Sequence, residues 1–131
     1  MDRKKILLVD DEEAIRKMVR AILGQELYEF DEAGNGAEAQ ILLAKQKFDL
    51  IITDVIMPDC DGIELVMAVR RKLPDINVIV MSGGGRVRAG HYLSLAGKLG
   101  AARVFEKPFD TAALRTAVQE LLSNEHLTGK S

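Results

Sequence analysis

Three short apolar runs punctuate this chain, and each ends on charge. Ile6–Val9 runs into Asp10 and Asp11, Leu50–Thr53 into Asp54, and Val104–Phe105 through Glu106 to Lys107. Short apolar runs bounded by polar residues read as buried parallel strands. The rest of the chain alternates between that signal and helical spacing. Strands are predicted at Lys5–Val9, Tyr28–Ala33, Asp49–Thr53, Ile76–Met81 and Arg103–Glu106. The first helix is expected over about Glu12–Leu23, where Ala14, Ile15, Met18, Val19, Ile22 and Leu23 recur at helical spacing and Gly24 ends it. Asn35-Gly36 reads as a turn before an Ala-rich helix that runs through about Gln46. A loop over Met57–Gly62 leads to a third helix over Ile63–Leu73, which Pro74 stops. The stretch Ser82–Gly90 is rich in glycine and reads as a mobile loop that delays a fourth helix to about Tyr92–Leu99. A fifth helix is predicted over Thr111–Leu122, before a polar tail from Ser123 onward.

Five alternations of strand and helix favour a parallel sheet covered by helices on both faces. Ligands of such sheets bind beyond the carboxyl ends of the strands, and right-handed crossovers bring successive carboxyl ends to one edge. The terminal charges of the three runs are therefore expected to meet. Carboxylates that meet repel, by about 4 kcal/mol per pair at ~4 Å and an effective dielectric of about 20. Such a cluster calls for a cation.

Composition narrows the classes. At 131 residues the chain fits one domain, and 47% hydrophobic with 29% charged residues is ordinary for a globular protein. A net charge of −2 supplies no basic footprint for nucleic acid. No apolar stretch approaches the ~18 residues of a membrane span, and Met1–Lys5 leads straight into a strand rather than a signal-peptide segment. A cytoplasmic protein with neither nucleic acid nor membrane as partner is expected. Cys60 stands alone, which excludes an internal disulfide.

The cation expected at the cluster is Mg²⁺, a hard ion that prefers carboxylate and carbonyl oxygen. Asp10-Asp11 taken alone would read as a helix cap. Asp54 at a second strand end shifts the balance toward a shared site. Asp54 is the candidate nucleophile, since a carboxylate can form an acyl phosphate. Lys107 would place a point charge on the phosphoryl oxygens, and the Ser82 hydroxyl would donate to them. Singly, these three read as a solvated acid, a surface lysine and a turn residue. His91 and His126 are too far apart in sequence to suggest zinc. Ser82-Gly83-Gly84-Gly85 lacks the Gly-Lys-Ser/Thr that would make it a nucleotide-binding loop.

With these residues in place the chain resembles a response regulator receiver domain. The resemblance covers about Lys4–Leu122. It rests on Ile6–Glu12, on Ala33–Ala39 (AGNGAEA), on Asp49–Gly62 (DLIITDVIMPDCDG), on Met81-Ser82 and on Lys107-Pro108-Phe109. It implies a flavodoxin-like three-layer α/β sandwich with a five-stranded parallel sheet in the order 2-1-3-4-5 and five helices. It also implies Mg²⁺ held by Asp11, Asp54 and the backbone carbonyl of Ile56, with Asp10 helping through water. Asp54 would accept phosphate from a histidine kinase or a histidine phosphotransfer protein, Lys107-Pro108 would be cis, and a partner-binding surface would switch. The domain would span residues 1–123, with a tail over 124–131. No output domain follows Leu122, so a stand-alone switch acting on a separate downstream protein is expected.

Two departures bear on the readout. Receiver domains commonly carry an aromatic residue three positions before the lysine, where this chain has Val104; Phe105 should face the other side of the strand. Arg86, Arg88 and His91 follow the glycines, as a solvated loop or as a basic flap over the phosphoryl group. The competing functions are a constitutive Mg²⁺-binding interaction module and a phosphohydrolase. The second needs an aspartate two residues after the nucleophile, where this chain has Ile56.

Overall fold

The elements follow in the order β1 (Lys4–Val9), α1 (Glu13–Leu23), β2 (Tyr28–Ala33), α2 (Gly36–Lys45), β3 (Leu50–Asp54), α3 (Gly62–Lys72), β4 (Asn77–Ser82), β5 (Arg103–Glu106) and α4 (Thr111–Thr128). They are seen in a computed structural model that describes residues 3–54, 62–82, 100–106 and 110–128. The strands form one five-stranded sheet ordered β2-β1-β3-β4-β5, and every neighbouring pair is parallel. The flavodoxin-like order implied by the sequence is therefore present. Four helices fall among the described residues; the one expected over Tyr92–Leu99 lies outside them.

Side-chain alternation divides the core between the two faces of the sheet. Leu7, Val9, Ile51, Val78 and Val80 pack with Ala39 of α2 and with Leu65, Val66 and Val69 of α3. The intervening residues Ile6, Leu8, Leu50, Ile52, Ile79 and Met81 pack with Val19 and Leu23 of α1 and with Leu114 and Val118 of α4. The result is three layers. β3 is central and covered on both sides, so all five of its residues are buried, Thr53 and Asp54 included. Burying each of its large aliphatic side chains contributes roughly 1.5–3 kcal/mol.

Boundaries differ from the expectations at a few places, each for a local reason. Glu12 is the N-cap of α1 rather than its first turn. Asn35 is also an N-cap: its side chain accepts the Glu38 N–H at 2.8 Å, while the Glu38 carboxylate accepts the Gly34 N–H at 2.7 Å. What reads as a turn is thus a reciprocal cap that starts α2. Gly24 ends α1 with φ of 103°, a conformation that side-chain-bearing residues rarely adopt. α4 continues to Thr128, six residues past the predicted end at Leu122, because no Gly or Pro interrupts Ser123–Thr128.

Candidate metal and phosphoryl site

The site grows out of strand register. Val9 of β1 pairs with Thr53 of β3, so Asp10 and Asp54 each stand one residue beyond that pair at the carboxyl edge. Asp54 continues the Leu50–Ile52 row, on the face covered by α1 and α4. Asp10 stands two residues beyond Leu8 of the same face, and Leu8 pairs with Ile52. Asp11 follows in the loop. One carboxylate oxygen from each of the three residues lies within 4.8 Å of the others. Asp10 and Asp54 are buried and Asp11 is exposed.

Asp10 is held at several atoms. Its N–H donates to the Ala33 carbonyl at 3.1 Å, extending the β1–β2 ladder by one residue. Its Oδ1 accepts the Glu12 N–H at 2.9 Å, a local Asx-type turn just before α1. Its carbonyl accepts from Arg16 Nη1 at 2.6 Å. Asp10 is thus not the cap of α1, whose N-cap is Glu12, and one carboxylate serves both the local turn and the cluster. Beside it, Thr53 is fully buried and its hydroxyl donates to the Asp54 carbonyl at 2.9 Å.

The donor set suits Mg²⁺. Oxygens on opposite sides of one such ion stand about 4 Å apart, so small side-chain movements bring all three carboxylates to a single ion. The exposure of Asp11 leaves the solvent side open for the waters that Mg²⁺ retains. Of the other expected residues, Ser82 ends β4 one position beyond Met81, the register partner of Asp54. Lys107 and Ile56 lie outside the described residues, as do Pro108, Cys60 and the Arg86–His91 segment. Val104 is exposed while Phe105 packs against the opposite core cluster, as alternation requires.

Comparison with known proteins agrees with this geometry. The family model of the response regulator receiver domain matches residues 6–119. The chain belongs to the response regulator receiver domain family. This receiver is 34% identical over 122 residues to sporulation initiation phosphotransferase F of Bacillus subtilis, covering 93% of the chain and 96% of that relative. It is 32% identical over 120 residues to the chemotaxis protein CheY of Halobacterium salinarum, covering 92% and 98%. Other curated relatives are longer, and the chain spans only 27% of one of them. Among solved structures, the response regulator TrrA of Thermotoga maritima, in complex with Mg²⁺-BeF, superposes with a TM-score of 0.79 at 35% identity, over 91% of this chain and 99% of that one. Receiver domains are phosphorylatable signalling proteins of two-component systems, phosphoacceptors rather than classical enzymes. Among the described residues, no helix is long and apolar enough to cross a membrane.

One set of residues around the site was not singled out from the sequence. Arg16 Nε donates to Glu32 Oε1 at 2.7 Å, and Arg20 pairs with the other oxygen of Glu32. A sequence signal exists: Arg16 and Arg20 are four apart on α1 and therefore share a face. Their common acceptor on β2 becomes visible only once strand and helix are packed.

Proposed function

We propose that this receiver accepts a phosphoryl group on Asp54 in a Mg²⁺-dependent reaction and thereby switches a partner-binding surface. The observation that carries this is the convergence of Asp10, Asp11 and Asp54, two of them buried, at the carboxyl edge of the sheet. Asp11, Asp54 and the Ile56 carbonyl hold Mg²⁺, with Asp10 assisting. When bound, the ion neutralises charge on the phosphoryl oxygens.

The donor is a histidine kinase or a histidine phosphotransfer protein. An Asp54 carboxylate oxygen attacks the phosphorus, the phosphorus–nitrogen bond of phosphohistidine breaks, and the imidazole leaves as the neutral ring after taking up a proton. The product is an acyl phosphate on Asp54. Lys107 and the Ser82 hydroxyl bind the added oxygens, so the receiver assists its own phosphorylation, and the same site admits the water that reverses it. The phosphoryl group adds about −1.5 to −2 charge near neutral pH. Rearrangement around it alters the surface offered to a downstream protein in the cytoplasm.

Incubation with acetyl phosphate and Mg²⁺, followed by intact mass measurement, tests the assignment. One added phosphoryl group is expected in the wild type, and none in Asp54→Asn or in the presence of excess chelator. If neither acetyl phosphate nor a histidine kinase produces Asp54-dependent phosphorylation, the constitutive interaction module takes its place.

A further inference from the structure

Arg16 belongs to a closed ring of contacts around the metal-facing loop. Its Nη1 donates to the Asp10 carbonyl at 2.6 Å and its Nε to Glu32 at 2.7 Å. Glu32 is followed by Ala33, whose carbonyl accepts the Asp10 N–H at 3.1 Å. One short segment at the end of β2 thus grips Asp10 twice, directly through Ala33 and indirectly through Glu32 and Arg16. The Arg16 side chain is only 17% exposed and that of Glu32 25%. The fork geometry of a guanidinium is what allows one side chain to reach both acceptors.

We propose that Arg16 is a positioning residue that sets the Mg²⁺ affinity of the Asp10–Asp11–Asp54 cluster by fixing the backbone of Asp10. The inference rests on the reading of that cluster as a Mg²⁺ site. Two physical effects of Arg16 have opposite signs. As a nearby positive charge it would repel Mg²⁺, so its removal would tighten binding. As the clamp on Asp10 it holds the loop in the geometry the ion needs, so its removal weakens binding. Glu32 offsets only part of this field, since it also pairs with Arg20. We take the clamp as the dominant effect because it acts directly on the backbone of a cluster residue, while the guanidinium charge acts through partly solvated surroundings. Loss of an outer partner that orients a metal site costs about 10–100-fold in affinity, and since Asp10 assists rather than ligating directly the lower end is expected here.

Calorimetric titration of the full chain with MgCl₂ separates the two effects. Arg16→Ala is expected to bind Mg²⁺ about tenfold more weakly than the wild type. Arg16→Lys is expected to lose most of the same affinity, because a single ammonium cannot satisfy both acceptors in this geometry. Arg20→Ala controls for packing: Arg20 grips the same Glu32 from one turn further along α1, so its loss should leave affinity within about twofold while perturbing the same ion-pair network. Unchanged or tighter binding in Arg16→Ala, wild-type affinity in Arg16→Lys, or an equal loss in Arg20→Ala would each overturn the proposal. If Arg16→Ala does not fold, the Lys and Arg20 variants decide the matter. Failure of the wild type itself to bind Mg²⁺ would overturn the reading of the cluster, an outcome distinct from all of these.

Discussion

Asp10 and Asp54 lie far apart in sequence, yet each stands one residue beyond a single register pair, Val9 and Thr53. That pairing is why their carboxylates meet. A slip of β3 by one residue would turn Asp54 to the opposite face of the sheet and dissolve the site. Burial of every β3 residue makes such a slip costly, since the apolar side chains of both faces would change places.

Stability should be linked to metal binding. Mg²⁺ at about 100 times its dissociation constant should stabilise the wild type by about 2.7 kcal/mol, because the ion binds the folded cluster and not the dispersed carboxylates. Asp11→Asn and Asp54→Asn should each lose most of that gain. Urea denaturation with and without MgCl₂ measures it, and equal stabilisation in the variants would remove Mg²⁺ from this cluster.

Ile52→Ala should cost about 2–5 kcal/mol, the range for truncating a large aliphatic side chain in a packed core. Ile52 is fully buried on the face shared with α1 and α4, and its register partner Leu8 is buried with it. A loss under ~1 kcal/mol by chemical denaturation would show that this layer repacks freely.

The cap of α2 is expected to contribute about 1 kcal/mol, so Asn35→Ala should lower stability by roughly that amount. Glu38→Ala should lose a similar share through the Gly34 N–H. The two losses should not add in a double variant, because each side chain holds the other's end of one reciprocal cap.

At Gly24, alanine should cost about 1–3 kcal/mol. The backbone there has φ of 103°, and an added Cβ would approach Leu27 Cδ1 at 3.3 Å. Gly24→Asn should cost about as much as Gly24→Ala, since ψ of 108° lies outside the left-handed helical region in which asparagine is favoured. Thermal unfolding of the two variants measures both losses.

The proposed division at residue 123 yields a last test. Removal of 124–131 should leave phosphorylation by acetyl phosphate unchanged and cost no more than ~1 kcal/mol, since Leu121 and Leu122, which pack in the core, precede the cut. A larger loss would extend the domain into the last turns of α4.

Much of this protein was legible along the chain because its signals are local or periodic. Apolar runs marked β1, β3 and β4 within a residue, since a strand covered on both faces is apolar along most of its length, whereas the edge strands β2 and β5 showed as short β-prone segments with charged residues between. Gly24 and Pro74 marked two helix ends through backbone constraints that each residue carries by itself. Asp10, Asp11 and Asp54 could be nominated together because parallel topology sends successive strand ends to one edge. Other features depended on what packs against what. Asn35-Gly36 has the same composition in a turn and in a cap, and only the return contact from Glu38 separates them. That Asp10 both turns the chain into α1 through the Glu12 N–H and joins the carboxylate cluster is a matter of ångströms, which spacing does not convey. The clamp of Arg16 between Asp10 and Glu32 joins a helix, a loop and an edge strand. Local sequence carries the propensity of each element and the chemistry of each side chain; which cation meets which anion is decided only when the three layers close.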